Sequence, residues 1–291
     1  MNEPGTTGPG PVVPRGLAER AREISDGRLA PAVPRDAATV ILLREDASGI
    51  EAFLLRRTAE LEFAPGAYVF PGGSVDACDA DPGVGWAGPG PADFAALLDV
   101  PPDRARGLVC AAVRETFEES GVLLAGPSAD ELVRDSTVLA ADRRALLAGA
   151  TSLTELLGRR GLILRTDLLT PWARWITPEA SPRRFDTWFF AAALPPGQTA
   201  TAAPEGAGDH PDPGESESGT WLRPAAALQA ARAGQITLLP PTAVTLGELA
   251  GHPGLAAILA RRQVITPRLP KVVVEDGRVR LHLPQAGEER P

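Results

Sequence analysis

Short apolar runs and one long helical period organise this chain. Ala37-Ala38-Thr39-Val40-Ile41-Leu42-Leu43 and Ile50-Glu51-Ala52-Phe53-Leu54-Leu55 are joined by Asp46-Ala47-Ser48-Gly49, which predicts a hairpin of buried strands. Tyr68-Val69-Phe70 extends that sheet until Pro71-Gly72-Gly73 breaks it, a turn in which glycine permits close backbone approach or positive φ. Residues 104 to about 123 follow a helical period with Gly121 as a stop, and further helices are predicted at 17–24, 129–148, 152–158, 224–232 and 241–250. Strand patterns return at 173–176, 185–191 and Trp221-Leu222. Lys271–Glu275 and Arg278–Leu283, joined by Asp276-Gly277, carry the clearest hairpin signal. Between 80 and 103 the density of glycine and proline predicts an inserted excursion outside the core, with one helical turn at Phe94–Leu98. The class is α/β, with sheet and helices layered.

The Gly/Pro-rich residues 1–15 are expected to be disordered. A catalytic domain is expected over 16–262, with a hairpin and tail over 263–291. The net charge of −8 and the scattered basic residues argue against a nucleic-acid polymer or an anionic membrane surface as partner. A small phosphorylated ligand remains compatible with an acidic protein when divalent cations bridge carboxylates to phosphates. Cys78 and Cys110 are the only cysteines, too few for a disulfide framework, so the cytoplasm is the expected compartment. No apolar run approaches the roughly 20 residues of a membrane span, the N-terminus lacks a signal-peptide layout, and the C-terminus is no peroxisomal address. The chain is also compatible with a homodimer.

Projected at about 100° per residue, the helix from Arg104 places Val109, Val113, Phe117 and Leu124, with Thr116 and Ser120, on one face. Glu115, Glu118 and Glu119 fall on the other, within an arc of roughly 100°. Three carboxylates at this spacing repel one another, and a divalent cation reverses that sign. Arg114, one turn before Glu118, can hold a carboxylate in place. Alone, the string Arg114-Glu115-Thr116-Phe117-Glu118-Glu119-Ser120-Gly121-Val122 describes a solvated acidic face; Phe70-Pro71-Gly72-Gly73 upstream changes that reading.

Together these residues resemble the box of the Nudix hydrolases, G-x5-E-x7-R-E-U-x-E-E-x-G-U with U bulky and apolar. Gly73 matches the first glycine, and Arg114, Glu115, Glu118, Glu119, Gly121 and Val122 match the second half. The first glutamate falls on Asp79, Thr116 replaces a bulky apolar residue, and positions 80 to 113, 34 residues, stand where the pattern has seven. Such an interruption is similar to the branch containing the mammalian peroxisomal coenzyme A diphosphatase. The likeness continues through Asp76, Trp172, Trp175-Ile176-Thr177-Pro178, Arg184-Phe185-Asp186-Thr187 and Leu239-Pro240-Pro241-Thr242.

The resemblance implies an α/β/α Nudix sandwich with a mixed sheet. It also implies that Mg2+ or Mn2+ is held by Glu115, Glu118 and Glu119, with Glu118 a ligand or the base. Asp79, Glu215 and Glu217 are rival bases or supporting acids. A hard cation prefers oxygen ligands, neutralises phosphates and lowers the pKa of bound water. Leu54-Leu55-Arg56-Arg57-Thr58 is similar to part of the signature upstream of coenzyme A-cleaving members, although Ala64 stands where that signature has histidine. Arg56 and Arg57, with Gly73, are therefore candidate substrate contacts, weighed against ordinary solvated charges. The implied substrate is a small nucleoside diphosphate derivative, coenzyme A or acyl-coenzyme A foremost. ADP-ribose, a dinucleotide or a nucleotide sugar is the alternative, and a non-catalytic sensing module a further one. Trp172, Trp175, Trp188 and Trp221 are expected mostly in packing, His210, His252 and His282 have no ligand spacing, and nothing marks Cys78 as a nucleophile.

Overall fold

The first two apolar runs pair as predicted. Strand β1 (Arg35–Asp46) runs antiparallel to β2 (Gly49–Arg57), with Leu43 opposite Ala52 and Asp46 opposite Gly49. The Asp46 carboxylate accepts the Ser48 amide at 2.7 Å and fixes the reversal. Ala38, Val40 and Leu42 on one face of β1 and Ile41 and Leu43 on the other are all fully buried. Burial on both faces is why the sequence shows continuous apolar runs rather than alternation. The computed structural model describes residues 15–58, 65–203, 216–263, 265–275 and 278–283; the expected N-terminal disorder and the Asp276-Gly277 turn lie outside them.

Two compact units divide the chain. In the larger, Ala37–Trp172 with Trp188–Ile265, a mixed sheet runs in the order Thr237–Leu238, β3 (Ala67–Val69), β2, β1, then the parts of Phe185–Ala193 and Thr170–Ile176 within this unit. Thr237–Leu238 runs parallel to β3, while β2 and β3 are antiparallel. A short strand β4 (Gly72–Ser74) also pairs β1, and Ser216–Leu222 pairs β2. The helix Pro102–Ser120 covers one face: Leu108, Val109, Ala112, Val113 and Phe117 join Ala38, Val40, Leu42, Phe53 and Leu55 in one cluster. Pro224–Arg232 packs on β2 and on Pro240–Ala250, burying Ala227, Leu246 and Leu249 apart from that cluster. This is α/β/α layering.

The smaller unit comprises the described parts of Met1–Asp36, Ala173–Thr187 and Thr266–Pro291. Arg174 forks onto Asp186 at 2.8 and 2.6 Å, and Arg184 donates to the Ala32 and Thr177 carbonyls. The hairpin Lys271–Glu275 with Arg278–His282 holds the register Lys271 opposite His282.

Two expectations need correction. Helix over 129–148 is replaced by a 3-10 turn at Ser136–Leu139 followed by helix Ala140–Leu147. The turn begins only where the Asp135 carboxylate accepts the Thr137 amide at 2.9 Å, an N-cap that outweighs propensity upstream. The Gly/Pro-rich excursion also belongs to the core. Trp86–Ala87 pairs Ile163–Arg165, and Pro91–Leu98 is helical with Phe94 and Leu98 buried, Phe94 edge-on to Phe190 at 6.2 Å. Pro91 sits in the first turn, where its missing N–H costs nothing. The prolines and glycines thus mark the ends of elements rather than their absence. Deleting this segment is therefore expected to unfold the larger unit, and Leu98→Ala to lower unfolding stability by at least about 2 kcal/mol. A urea melt that coincides with wild type overturns the core assignment.

Candidate active site

The helix Pro102–Ser120 ends as its sequence predicts, at Gly121, which adopts a φ of 70° and caps Phe117. Its acidic face is enclosed rather than solvated. Glu118 is buried and Glu115 and Glu119 are half-buried, because β4 and the 3-10 turn Ala77–Ala80 pack against this helix. Thr116 is tolerated in place of a bulky apolar residue because its hydroxyl donates to the Ala112 carbonyl at 2.6 Å.

Arg114 organises this enclosed face. Its Nε and Nη2 fork onto Asp79 Oδ1 and Oδ2 at 3.0 and 2.9 Å. Nη1 reaches Glu115 Oε1 and Glu118 Oε2, both at 2.9 Å, and Nη2 also donates to the Ser74 carbonyl at 2.9 Å. A guanidinium has five N–H donors, and five acceptors meet it here. The pair Asp79–Arg114, 35 positions apart, therefore closes the interrupted motif in space. Asp79 also accepts the Asp76 amide at 2.8 Å, so its oxygens are committed to holding the arginine.

The two glycines serve close approach, and neither adopts positive φ. A Cβ on Gly73 would lie 2.4 Å from Glu115 Oε1, and one on Gly72 would lie 2.5 Å from the Ala38 carbonyl oxygen. With no side chain in the way, the Gly72 amide donates to Glu119 Oε2 at 2.7 Å. Sheet pairing sets this approach, since Gly73 is opposite Ala38 and Gly72 opposite Thr39 on β1.

Burial pushes the Glu115 carboxyl up to about 8; Arg114 pulls it down and Glu118 adds to the rise. Glu118 is raised for the same reasons, burial first, with the charges of Asp79 and Asp76 opposing the pull of Arg114. Burial alone would lower Arg114, but its bonds to Asp79 and the surrounding carboxylates hold it firmly protonated. Among the described residues, no three His, Cys, Asp or Glu side chains converge as a ready-made metal site. Glu115 and Glu118 turn to Arg114, and Glu119 turns to the Gly72 amide. The donor set nonetheless fits a hard divalent cation. Four carboxyl groups, Asp79, Glu115, Glu118 and Glu119, surround one guanidinium, and neighbouring acids add to the rise of Glu115 and Glu118 that burial causes first; oxygen donors of this kind suit a hard cation.

Arg56 and Arg57 end β2, exposed and half-buried respectively, with Arg56 opposite Tyr68 of β3. Glu215 and the side chain of Glu217 lie outside the described residues. Trp172, Trp175 and Trp188 are buried in packing, and Trp221 packs on Phe53 at 5.3 Å. Both cysteines are free thiols with raised pKa: burial and then the Asp79 charge raise Cys78, and the same two causes push Cys110 to about 12, so neither is primed as a nucleophile. Two residues had no assigned role from the sequence. Asp76 lies 3.6 Å from Arg114 Nη2; its place in the motif was its only signal. Arg143 donates from Nε to the Glu118 carbonyl at 2.9 Å and from Nη2 to the Thr201 carbonyl at 3.0 Å. Burial lowers its pKa to about 10, against the charges of Glu119 and Glu118. No local pattern signals that contact, which depends on the helix Ala140–Leu147 meeting the end of the acidic one.

The family described as the NUDT19 Nudix domain matches residues 93–249, more than half of the chain. Similar curated proteins include the acyl-coenzyme A diphosphatase NUDT19 of Gallus gallus, 29% identical over 230 residues, covering 66% of this chain and 58% of that protein. The Homo sapiens protein of the same name is 28% identical over 250 residues, covering 72% and 63%. The chain thus spans about three fifths of the length of these relatives. Among solved structures, a NUDIX hydrolase from Alicyclobacillus acidocaldarius aligns with a TM-score of 0.64 at 24% identity, covering 81% of this chain and 99% of that one. That likeness bears on the fold.

Proposed function

The chain belongs to the Nudix family, in the group described by the NUDT19 Nudix domain, and from that premise we propose that it hydrolyses the diphosphate bond of a nucleoside diphosphate derivative. Coenzyme A or acyl-coenzyme A is the proposed substrate, in keeping with the activity named for its relatives. The observation that carries this reading is the Arg114–Asp79 fork, which unites the two halves of an interrupted Nudix box and sets Gly73 against Glu115.

In this reading Glu115, Glu118 and Glu119 hold Mg2+ or Mn2+. When bound, the cation supplies charge neutralisation of the diphosphate and acidification of water. Arg114 keeps Glu115 and Glu118 together against their mutual repulsion and orients them. Glu118, buried beside that guanidinium, is the proposed ligand or base. Arg56 and Arg57 are the proposed contacts for the additional 3′-phosphate of coenzyme A. Among the described residues no helix is long and apolar enough to cross a membrane; the cytoplasm is the proposed compartment, compatible with two free thiols.

The test is a panel of coenzyme A, acyl-coenzyme A, ADP-ribose, NADH and nucleotide sugars with magnesium and manganese. Coenzyme A is expected to give 3′,5′-adenosine diphosphate and 4′-phosphopantetheine, with heavy oxygen from labelled water on a phosphate product and any thioester intact. Turnover undiminished in excess chelator overturns the metal assignment, and turnover of ADP-ribose with coenzyme A inert overturns the substrate.

A pH dependence follows from Glu115. Its folded value of about 8 lies above the ordinary 4.5, so in the metal-free protein its stabilising contribution is complete below the ordinary value and is lost as pH rises toward 8. A cation displaces that proton, so the increase in Tm on adding magnesium is expected to be larger at about pH 8.5 than at about pH 6. Thermal melts giving the same increase at both pH values sink the role of Glu115 as a ligand.

A further inference from the structure

Arg143 is met by main-chain carbonyls where Arg114 and Arg165 are met by carboxylates. Arg114 forks onto Asp79, and Arg165 onto Asp167. Arg143 instead gives Nε and Nη2 to two main-chain carbonyls, those of Glu118 and Thr201. Carbonyls use Nε and Nη2; among the described residues the charges of Glu119 and Glu118 act on the guanidinium without a direct ion pair, and Nη1 makes no hydrogen bond. The group is fixed in place. Its neighbour Asp142 is buried and pinned by Arg159 at 2.9 Å and Arg160 at 2.6 Å, which anchors the short helix. The bond to the Glu118 carbonyl then ties the guanidinium to the last turn of the acidic helix. Gly121 leaves room for Nη1, because a Cβ there would lie 2.8 Å from it.

A cap on a helix C-terminus explains the bond to the Glu118 carbonyl, while the Thr201 carbonyl lies outside the helix. The cap leaves Nη1 unused, on a guanidinium that feels the charges of Glu119 and Glu118, the carboxylates proposed to hold the cation. A diphosphate supplies an acceptor for that nitrogen, since its oxygens accept from a guanidinium edge in charge-assisted bonds. We infer that Arg143 is a substrate-binding residue whose Nη1 donates to the diphosphate from the side of the acidic helix marked by Gly121. The inference rests on the function proposed above and deepens it. The cation neutralises one side of the diphosphate while Arg143 meets the other, so an acidic protein can hold a highly charged anion.

The test compares wild type with Arg143→Gln and Arg143→Lys, using inorganic pyrophosphate with magnesium as the calorimetric probe and steady-state kinetics on the diphosphate substrate. Arg143→Gln is expected to weaken pyrophosphate binding about tenfold or more, and to lower kcat/KM by a similar factor mainly through KM, as for loss of a charge-assisted contact. Arg143→Lys, which keeps the charge, is expected to recover part of the affinity. A cap alone would move Tm without this split. If Arg143→Gln does not fold, phenylglyoxal modification of the native protein decides: magnesium pyrophosphate is expected to protect the peptide containing Arg143. Wild type that neither binds pyrophosphate nor cleaves a diphosphate overturns the proposed function and this inference with it. Wild type that does both, with Arg143→Gln matching it or Arg143 unprotected, overturns the role of Arg143 alone.

Discussion

Glu119→Gln is expected to lower kcat by at least about two orders of magnitude, the scale seen when one preorganised electrostatic group is removed from a reacting centre, while leaving the fold intact. Glu119 Oε2 accepts the Gly72 amide at 2.7 Å, and the glutamine carbonyl oxygen can accept the same bond, so the contact between β4 and the acidic helix survives. What disappears is the negative charge. The proposed cation site then loses part of the charge that draws a divalent ion, and the effect is expected to be partly relieved by raising magnesium. Steady-state kinetics across a magnesium titration, with Tm measured alongside, give the answer. A near-wild-type rate at low magnesium places the cation elsewhere; a large fall in Tm means that Glu119 is chiefly structural.

Local rules made the first hairpin and the acidic helix readable from sequence. The runs Ala37–Leu43 and Ile50–Leu55 are apolar at nearly every position because both sheet faces are covered. Gly121 ends the helix because it alone there adopts a φ of 70° at no steric cost. What escaped was set by contacts distant in sequence. The insertion looked external to the core because of its glycines and prolines, whereas its helical turn at Phe94–Leu98, part of helix Pro91–Leu98, fills the core. The acidic face looked open because a helical projection shows direction and not what lies opposite; β4 and the 3-10 turn enclose it. Asp79 looked like a stand-in for the motif's first glutamate and a possible base, yet its carboxylate is what the Arg114 fork engages. Arg143 was invisible because nothing in its own helix points to the Glu118 carbonyl.

Arg114→Met tests the join between the two halves of the motif, with an expected loss of about 3–5 kcal/mol in unfolding stability, typical of removing one partner from a buried ion pair. Arg114 and Asp79 are 5% and 3% exposed, so solvent screening offers little relief. Methionine fills a similar volume but leaves Asp79, Glu115 and Glu118 facing one another without a cation, and the Ser74 carbonyl without its donor. Activity is expected to fall with stability, since the carboxylates lose the group that orients them. Arg114→Lys separates charge from geometry. It restores one positive charge, but a single ammonium cannot reach the acceptors that five guanidinium donors span, so it is expected to fold better than the methionine variant and remain catalytically impaired. A double-mutant cycle with Asp79→Asn, read by urea denaturation, isolates the pair. Coupling near zero, or a methionine variant as stable as wild type, means that the fork does not hold the interrupted motif together.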